Sequence, residues 1–138
     1  MAIVQQINFE SGRLNVDAQG EFSLEEAKSA FLEMLSAIAQ YRAQRVLFDG
    51  RNVKGSPEDL ERFYYGEFAA KHTLRLVGEH KIVPQFAYVI TEPLRDPRRF
   101  GETVALNRGM HIKVFAALEE AVEWLSLTPG NDADTGIP

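Results

Sequence analysis

The segment Arg45-Val46-Leu47-Phe48-Asp49-Gly50-Arg51, continued by Ser56-Pro57-Glu58-Asp59, constrains what this chain can fold into more than any other. Val46, Leu47 and Phe48 are apolar at successive positions, the pattern of a strand covered on both faces, as in a parallel sheet between helices. Asp49-Gly50-Arg51 reads as the start of a polar loop. Ser56 before Pro57 reads as a helix N-cap with proline at the first helical position, and Glu58, Asp59 and Glu61 suit the positive end of the helix dipole. A strand, a loop and a helix in that order make a βα unit at mid-chain, and an α/β class follows.

The flanking sequence extends this unit in both directions. Ile3, Gln5, Ile7 and Phe9 share one strand face, Leu14, Val16 and Ala18 repeat two apart, and Ser11-Gly12 between them reads as a hairpin turn. Ser23-Leu24-Glu25-Glu26 has the form of a capping box, with Phe22 and Ala27 as its hydrophobic staple. Ala27, Phe31, Met34, Leu35, Ile38 and Tyr41 then recur at helical spacing. Helix two runs to about Gly78, and Phe86 to Ile90 form the next buried strand. Asp96-Pro97 caps a third helix ending at Asn107-Arg108-Gly109. Ile112, Val114 and Phe115 supply a last strand, and Leu118, Ala121, Val122 and Leu125 line a closing helix whose Glu119, Glu120 and Glu123 face water. The order is β-β-α-β-α-β-α-β-α: an α/β layer with a mixed five-stranded sheet and an N-terminal hairpin. Residues 1–127 form one domain, and 128–138, rich in Pro, Gly, Asn and Asp, form a polar C-terminal tail.

Composition narrows the function classes. A chain of 138 residues with 45% hydrophobic content can build one packed core. Its net charge of -5 argues against a nucleic-acid partner, because phosphate binding draws on a dense field of Lys and Arg. With no cysteine it has no disulfide, thiolate chemistry or Cys-ligated zinc, which is compatible with a reducing cytosol. The N-terminal residues lack the basic flank and apolar run of a leader, and no stretch reaches the ~18 apolar residues that span a bilayer. The expectation is a soluble cytoplasmic protein.

In order and spacing, Arg45 to Arg51, Ala105-Leu106-Asn107-Arg108-Gly109, and Val114-Phe115 followed by Glu120-Ala121-Val122-Glu123-Trp124-Leu125 resemble the SpoIIAA-like family. These are STAS-type α/β modules related to anti-sigma-factor antagonists and compared with CRAL-TRIO lipid carriers. The resemblance covers residues 1 to 127 and implies a single-domain SpoIIAA-like fold. Antagonists of that family carry an Asp-Ser-Ser-Gly type motif, with a phosphorylated serine, where the loop meets helix two. This chain has Lys54-Gly55-Ser56-Pro57 there, so Ser56 is read as a helix cap rather than a phosphosite.

In a parallel sheet, ligands bind outside the carboxyl ends of the strands, so a rim of Arg51, Lys54, Ser56, Arg95, Arg98 and Arg99 is the candidate anion site. The plainer alternative is solvated charge, with Arg98 and Arg99 paired to Asp96 or Glu102 and Asp49 paired to Arg51. Phe63, Tyr64, Tyr65 and Phe68 cannot all point into one core at 100 degrees per residue. Phe63 with Tyr64 or Phe68 is placed on the sheet, and Tyr65 and Leu76 to the side, near Leu94 and Phe100. His72, His80 and His111 show no metal-ligand spacing, and no Gly-x-Ser-x-Gly, Gly-x-Gly-x-x-Gly or Walker motif occurs, so no metal, cofactor or catalytic residue is assigned.

Two readings follow. One is a non-enzymatic module binding a nonpolar or amphiphilic molecule, or touching a membrane peripherally, through Phe63, Tyr64, Tyr65, Phe68, Leu94 and Phe100, with Arg95 and Arg99 near an anionic head. The other is a STAS-type regulatory module that meets a protein partner through Arg51, Lys54 and Ser56. An enzyme ranks third, and helix two offers a surface for a homodimer.

Overall fold

A computed structural model describes residues 2–96 and 98–127; the polar tail expected at 128–138 and Pro97 lie outside the described residues. The elements are β1 (Val4–Glu10), β2 (Arg13–Glu21), α1 (Leu24–Tyr41), β3 (Arg45–Lys54), α2 (Asp59–His80), β4 (Gln85–Val89), α3 (Phe100–Asn107), β5 (His111–Phe115) and α4 (Leu118–Ser126). They form one five-stranded sheet in the order β1-β2-β3-β4-β5, antiparallel between β1 and β2 and parallel elsewhere. This is the α/β arrangement expected, in the element order expected.

The hairpin turns on Ser11 and Gly12, both at positive φ (57° and 75°), the backbone a two-residue turn of this hand requires. Ser23 caps α1 by accepting the Glu26 N–H at 3.2 Å, while the Glu26 carboxylate turns away from the cap to accept the Ile3 N–H. Gly109, at φ 96°, ends α3, and the Met110 N–H returns to the Ala105 carbonyl.

Helices α1, α2 and α3 share one face of the sheet. Leu14, Val16, Val46, Phe86 and Ile112 meet Phe31, Met34, Ile38, Ala69, Ala105 and Met110 there. On the other face α4 covers β3, β4 and β5, burying Leu47, Ala87, Val89 and Phe115 against Ala121 and Leu125. Cover on both sides explains the continuous apolar runs in β3 and β4, and cover on one side explains the alternation in β2.

Three boundaries differ from the sequence expectation. Asp49-Gly50-Arg51 is strand rather than loop, because the nine-residue β2 offers a ladder to Lys54 once its register shifts between Asp17 and Gln19. Ser56-Pro57 does not open α2: Glu58 is the N-cap, and its N–H donates to the Glu61 carboxylate at 2.9 Å, while Pro57 is buried beside the helix. The third helix starts at Phe100, yet Asp96 still performs the capping chemistry expected of it, accepting N–H groups from Arg98 (3.0 Å) and Phe100 (3.1 Å).

Helices α2 and α3 cross at glycine. A Cβ built on Gly66 would lie 2.7 Å from the Gly101 carbonyl oxygen and 3.3 Å from Val104, whereas one on Gly78 would meet nothing within 4 Å. Gly66→Ala is therefore expected to cost about 1–3 kcal/mol by forcing the helices apart. Gly78→Ala is expected to stabilise by about 0.5–1 kcal/mol, since alanine holds a helix better. Urea unfolding of the two variants checks the opposite signs.

Candidate functional site

Between the three-helix layer and the sheet lies a cavity of about 140 Å³. Its sheet wall is Phe48, Tyr88, Ile112 and Val114, with the Phe48 and Tyr88 rings stacked at 4.5 Å. From α2 come Tyr65, Gly66 and Ala69, from α3 Gly101, Glu102 and Ala105, and from α1 Ala27. Small residues at five of these positions leave the space that a leucine would fill. Leu94, Arg95, Asp96 and Arg99, in the segment after β4, close one side, and Phe22, Val53, Pro57 and Ile90 close another. The cavity thus sits at the carboxyl ends of β3 and β4, where an α/β sheet places its ligands.

Few polar groups interrupt the apolar wall. The Tyr65 and Tyr88 hydroxyls are hydrogen-bonded at 2.7 Å. One bond between two hydroxyls uses one of their two protons, so the second O–H remains available to an acceptor. Burial pushes the Tyr65 hydroxyl up to about 12, and burial followed by the neighbouring Tyr65 pushes Tyr88 up as well. Glu102 is buried; one carboxylate oxygen accepts the Val114 N–H at 3.1 Å and the other lies 3.6 Å from the Arg99 Nε without a hydrogen bond. Burial alone would raise the Asp96 carboxyl, but the Arg98 and Phe100 N–H groups and the Arg98 guanidinium together hold it below the ordinary range.

The segment after β4 is tied to α2 by Arg62, which donates to the Pro93 carbonyl at 2.9 Å and the Leu94 carbonyl at 3.4 Å. Arg98 bridges Asp59 and Asp96. Arg95 meets the exposed Glu92 at 3.5 Å, and its Nε is sheltered from water with no hydrogen-bond partner.

Of the residues singled out in the sequence, Tyr65, Leu94, Arg95 and Arg99 meet around this cavity. Tyr65 points to the sheet rather than to the side, because its hydroxyl finds Tyr88 and its ring meets Phe31 edge-on at 6.0 Å; Leu76 is likewise core. Phe63 stacks on Phe100 at 6.4 Å outside the cavity. Tyr64 and Phe68 line a separate surface groove with Lys28, Lys71, Leu74 and Arg108.

The expected rim does not form as one surface. Arg51 forks onto Asp49 at 2.9 and 2.7 Å, holds that carboxyl below its ordinary range and has Glu119 of α4 in its field, so it belongs to the opposite face of the sheet. Lys54 and Ser56 are exposed and outside the cavity, although Pro57 beside them is part of its wall. The pairings of Asp49 with Arg51, Arg98 with Asp96 and Arg99 with Glu102 are present as the plainer alternative had them. Sequence reasoning missed Phe48, Tyr88 and Glu102. A tyrosine inside a buried strand was the available signal, since its hydroxyl needs a partner. Among the described residues no three His, Asp or Glu side chains gather into a metal-binding group, and no helix is long and apolar enough to cross a membrane.

No family model and no curated protein matches the sequence. Among solved structures, the chain is similar to an anti-sigma factor antagonist from Mycobacterium paratuberculosis, with a TM-score of 0.59 and 16% identity over 91% of this chain and 95% of that one. It also matches an uncharacterized protein with a SpoIIAA-like fold from Shewanella loihica PV-4, with a TM-score of 0.48 and 15% identity over 90% of this chain and 94% of that one. The chain has the SpoIIAA-like, STAS-type α/β fold that the sequence resemblance implied.

The tyrosine pair makes stability depend on alkaline pH. With Tyr65 raised from 10.0 to about 12 and Tyr88 raised too, folding holds both protons. That contribution is complete below the unfolded value near pH 10 and is lost as the pH climbs through the folded values. Urea unfolding should therefore show stability falling above pH 10, and falling less in a Tyr65→Phe, Tyr88→Phe double variant. Tyr65→Phe alone is expected to cost about 1–3 kcal/mol, because it strands the buried Tyr88 hydroxyl, and the second substitution should add little.

Proposed function

We propose that the protein is a non-enzymatic binding module that takes a small nonpolar or amphiphilic molecule into the cavity between α2, α3 and the sheet. The supporting observation is the cavity itself: an apolar space of about 140 Å³ with a pair of hydroxyls on its wall. A cavity of about 150 Å³ with an apolar lining stays dry and accepts benzene, so the fitting occupant is one ring or a short branched chain rather than a long acyl tail. The three aromatic residues on the outer surface, Phe63, Tyr64 and Phe100, are not needed for this reading.

Toluene is a suitable probe. At ten times its Kd it should stabilise the protein by about 1.4 kcal/mol, a rise of several degrees in Tm. Ala105→Leu, which places a side chain in the cavity wall, should abolish that rise. No shift with toluene in the parent protein would overturn the reading.

A second reading has its own observation. Ser56 is exposed three residues before α2, where Glu58 holds the cap, so its hydroxyl is not committed to the helix end as the sequence suggested. The similar structure from Mycobacterium paratuberculosis is described as an anti-sigma factor antagonist, and a regulatory partner surface at Lys54 and Ser56 is consistent with that likeness. Pro57 joins the two readings, being a cavity wall residue next to Ser56. Binding to a purified partner should weaken with Ser56→Asp and Lys54→Ala; binding unchanged in both would remove this surface from consideration.

A further inference from the structure

We infer that the ligand of the cavity is a small monocarboxylate, aromatic or short and branched, whose head is held by Arg95. This rests on the reading of the cavity as a ligand site. Arg62, Arg95 and Arg99 line it and Arg98 lies in the same segment, and the structure distinguishes the four by what each is already doing. Arg62 spends its guanidinium on the Pro93 and Leu94 carbonyls, and Arg98 lies between Asp59 and Asp96. Arg99 faces Glu102 at 3.6 Å. Arg95 retains an Nε–H that is sheltered from solvent and without a hydrogen-bond partner, and among the described residues its ion-pair contact is the 3.5 Å approach to Glu92, itself 56% exposed. A pair of that length with its carboxylate in water is weak and readily exchanged.

A sheltered, unpartnered N–H on a guanidinium is costly unless an acceptor arrives, and a planar carboxylate matches the side-on fork of Nε and Nη. The other polar groups agree with a single negative charge. Both Asp96 oxygens accept N–H groups; Glu102 takes the Val114 N–H on one oxygen, and the other, though without a hydrogen bond, has the Arg99 guanidinium 3.6 Å away to balance its charge, so neither carboxylate calls for a cationic ligand. Asp96 also occupies the Phe100 N–H at the start of α3 and sets a carboxylate at that helix end, where it would repel a doubly charged phosphate. What remains of the cavity is apolar and benzene-sized. The spare O–H of the Tyr65–Tyr88 pair adds one donor for an acceptor on the ligand.

Benzoate and toluene differ in charge at nearly constant shape, as do phenylacetate and ethylbenzene, and their affinities for the full chain can be measured by calorimetry or ligand-observed NMR. At least one carboxylate is expected to bind about ten- to a hundredfold tighter than its neutral counterpart. Arg95→Met keeps the side-chain stem and removes the charge. It should erase the preference for the acid over its neutral counterpart measured on the same variant, and retained toluene binding then certifies that the variant keeps its fold and cavity. Neutral probes binding as tightly as the acids, or an acid preference that survives Arg95→Met, would overturn the carboxylate assignment and leave the ligand-site reading intact. Binding of neither class by the parent protein would overturn both.

Discussion

Backbone contact between α2 and α3 at Gly66 and Gly101 is the constraint on which the rest of this molecule depends. It draws α3 close enough to the sheet for Glu102 to reach β5, an edge strand whose Val114 N–H is received by that carboxylate. It also fixes the cavity: two glycines and the alanines 27, 69 and 105 keep the helices near one another without filling the space beneath them. Larger residues would exchange this arrangement for an ordinary closed core. The interior is therefore incomplete by construction at one place, and that place lies at the carboxyl end of the parallel strands.

Charge around the cavity follows from the same geometry. Arginines and carboxylates on α2, on α3 and in the segment between β4 and α3 alternate closely enough that several neutralise one another across elements, as Arg98 does with Asp59, while Arg62 donates to two carbonyls of the segment. The contacts tie the segment down and leave most of the cavity wall apolar. Arg51, by contrast, is separated from this group because strand alternation sends it to the face covered by α4.

The elements were legible because their signals are local. Successive apolar residues at Val46 to Phe48, the stripe from Ala27 to Tyr41 and glycine at 109 each report a periodicity or a backbone requirement that tertiary packing did not override. The extension of β3 to Lys54 was not legible, since it depends on a partner strand 33 residues earlier continuing past a register shift. The side placement expected for Tyr65 gives way to the sheet because Tyr88, out of reach of any local pattern, supplies a hydroxyl to meet it. The cavity walls were hidden for a different reason. Gly66, Ala69, Gly101 and Ala105 carry no chemistry and signal only space, and space is defined by what stands opposite.

The sheet order β1-β2-β3-β4-β5 repeats the order of the chain. Among the described residues no strand is inserted between two that precede it, so each strand after β1 has its neighbour already made when it is synthesised. A growing chain can add βα units one after another at the open edge, and the closure entropy of each addition is that of a single crossover. The last of the described helices, α4, lies across β3, β4 and β5 and covers the Leu47, Ala87 and Val89 face left open until then. Assembly by accretion would thus leave that apolar strip uncovered until almost the whole domain has emerged, making the final helix the element that turns a growing sheet into a finished surface.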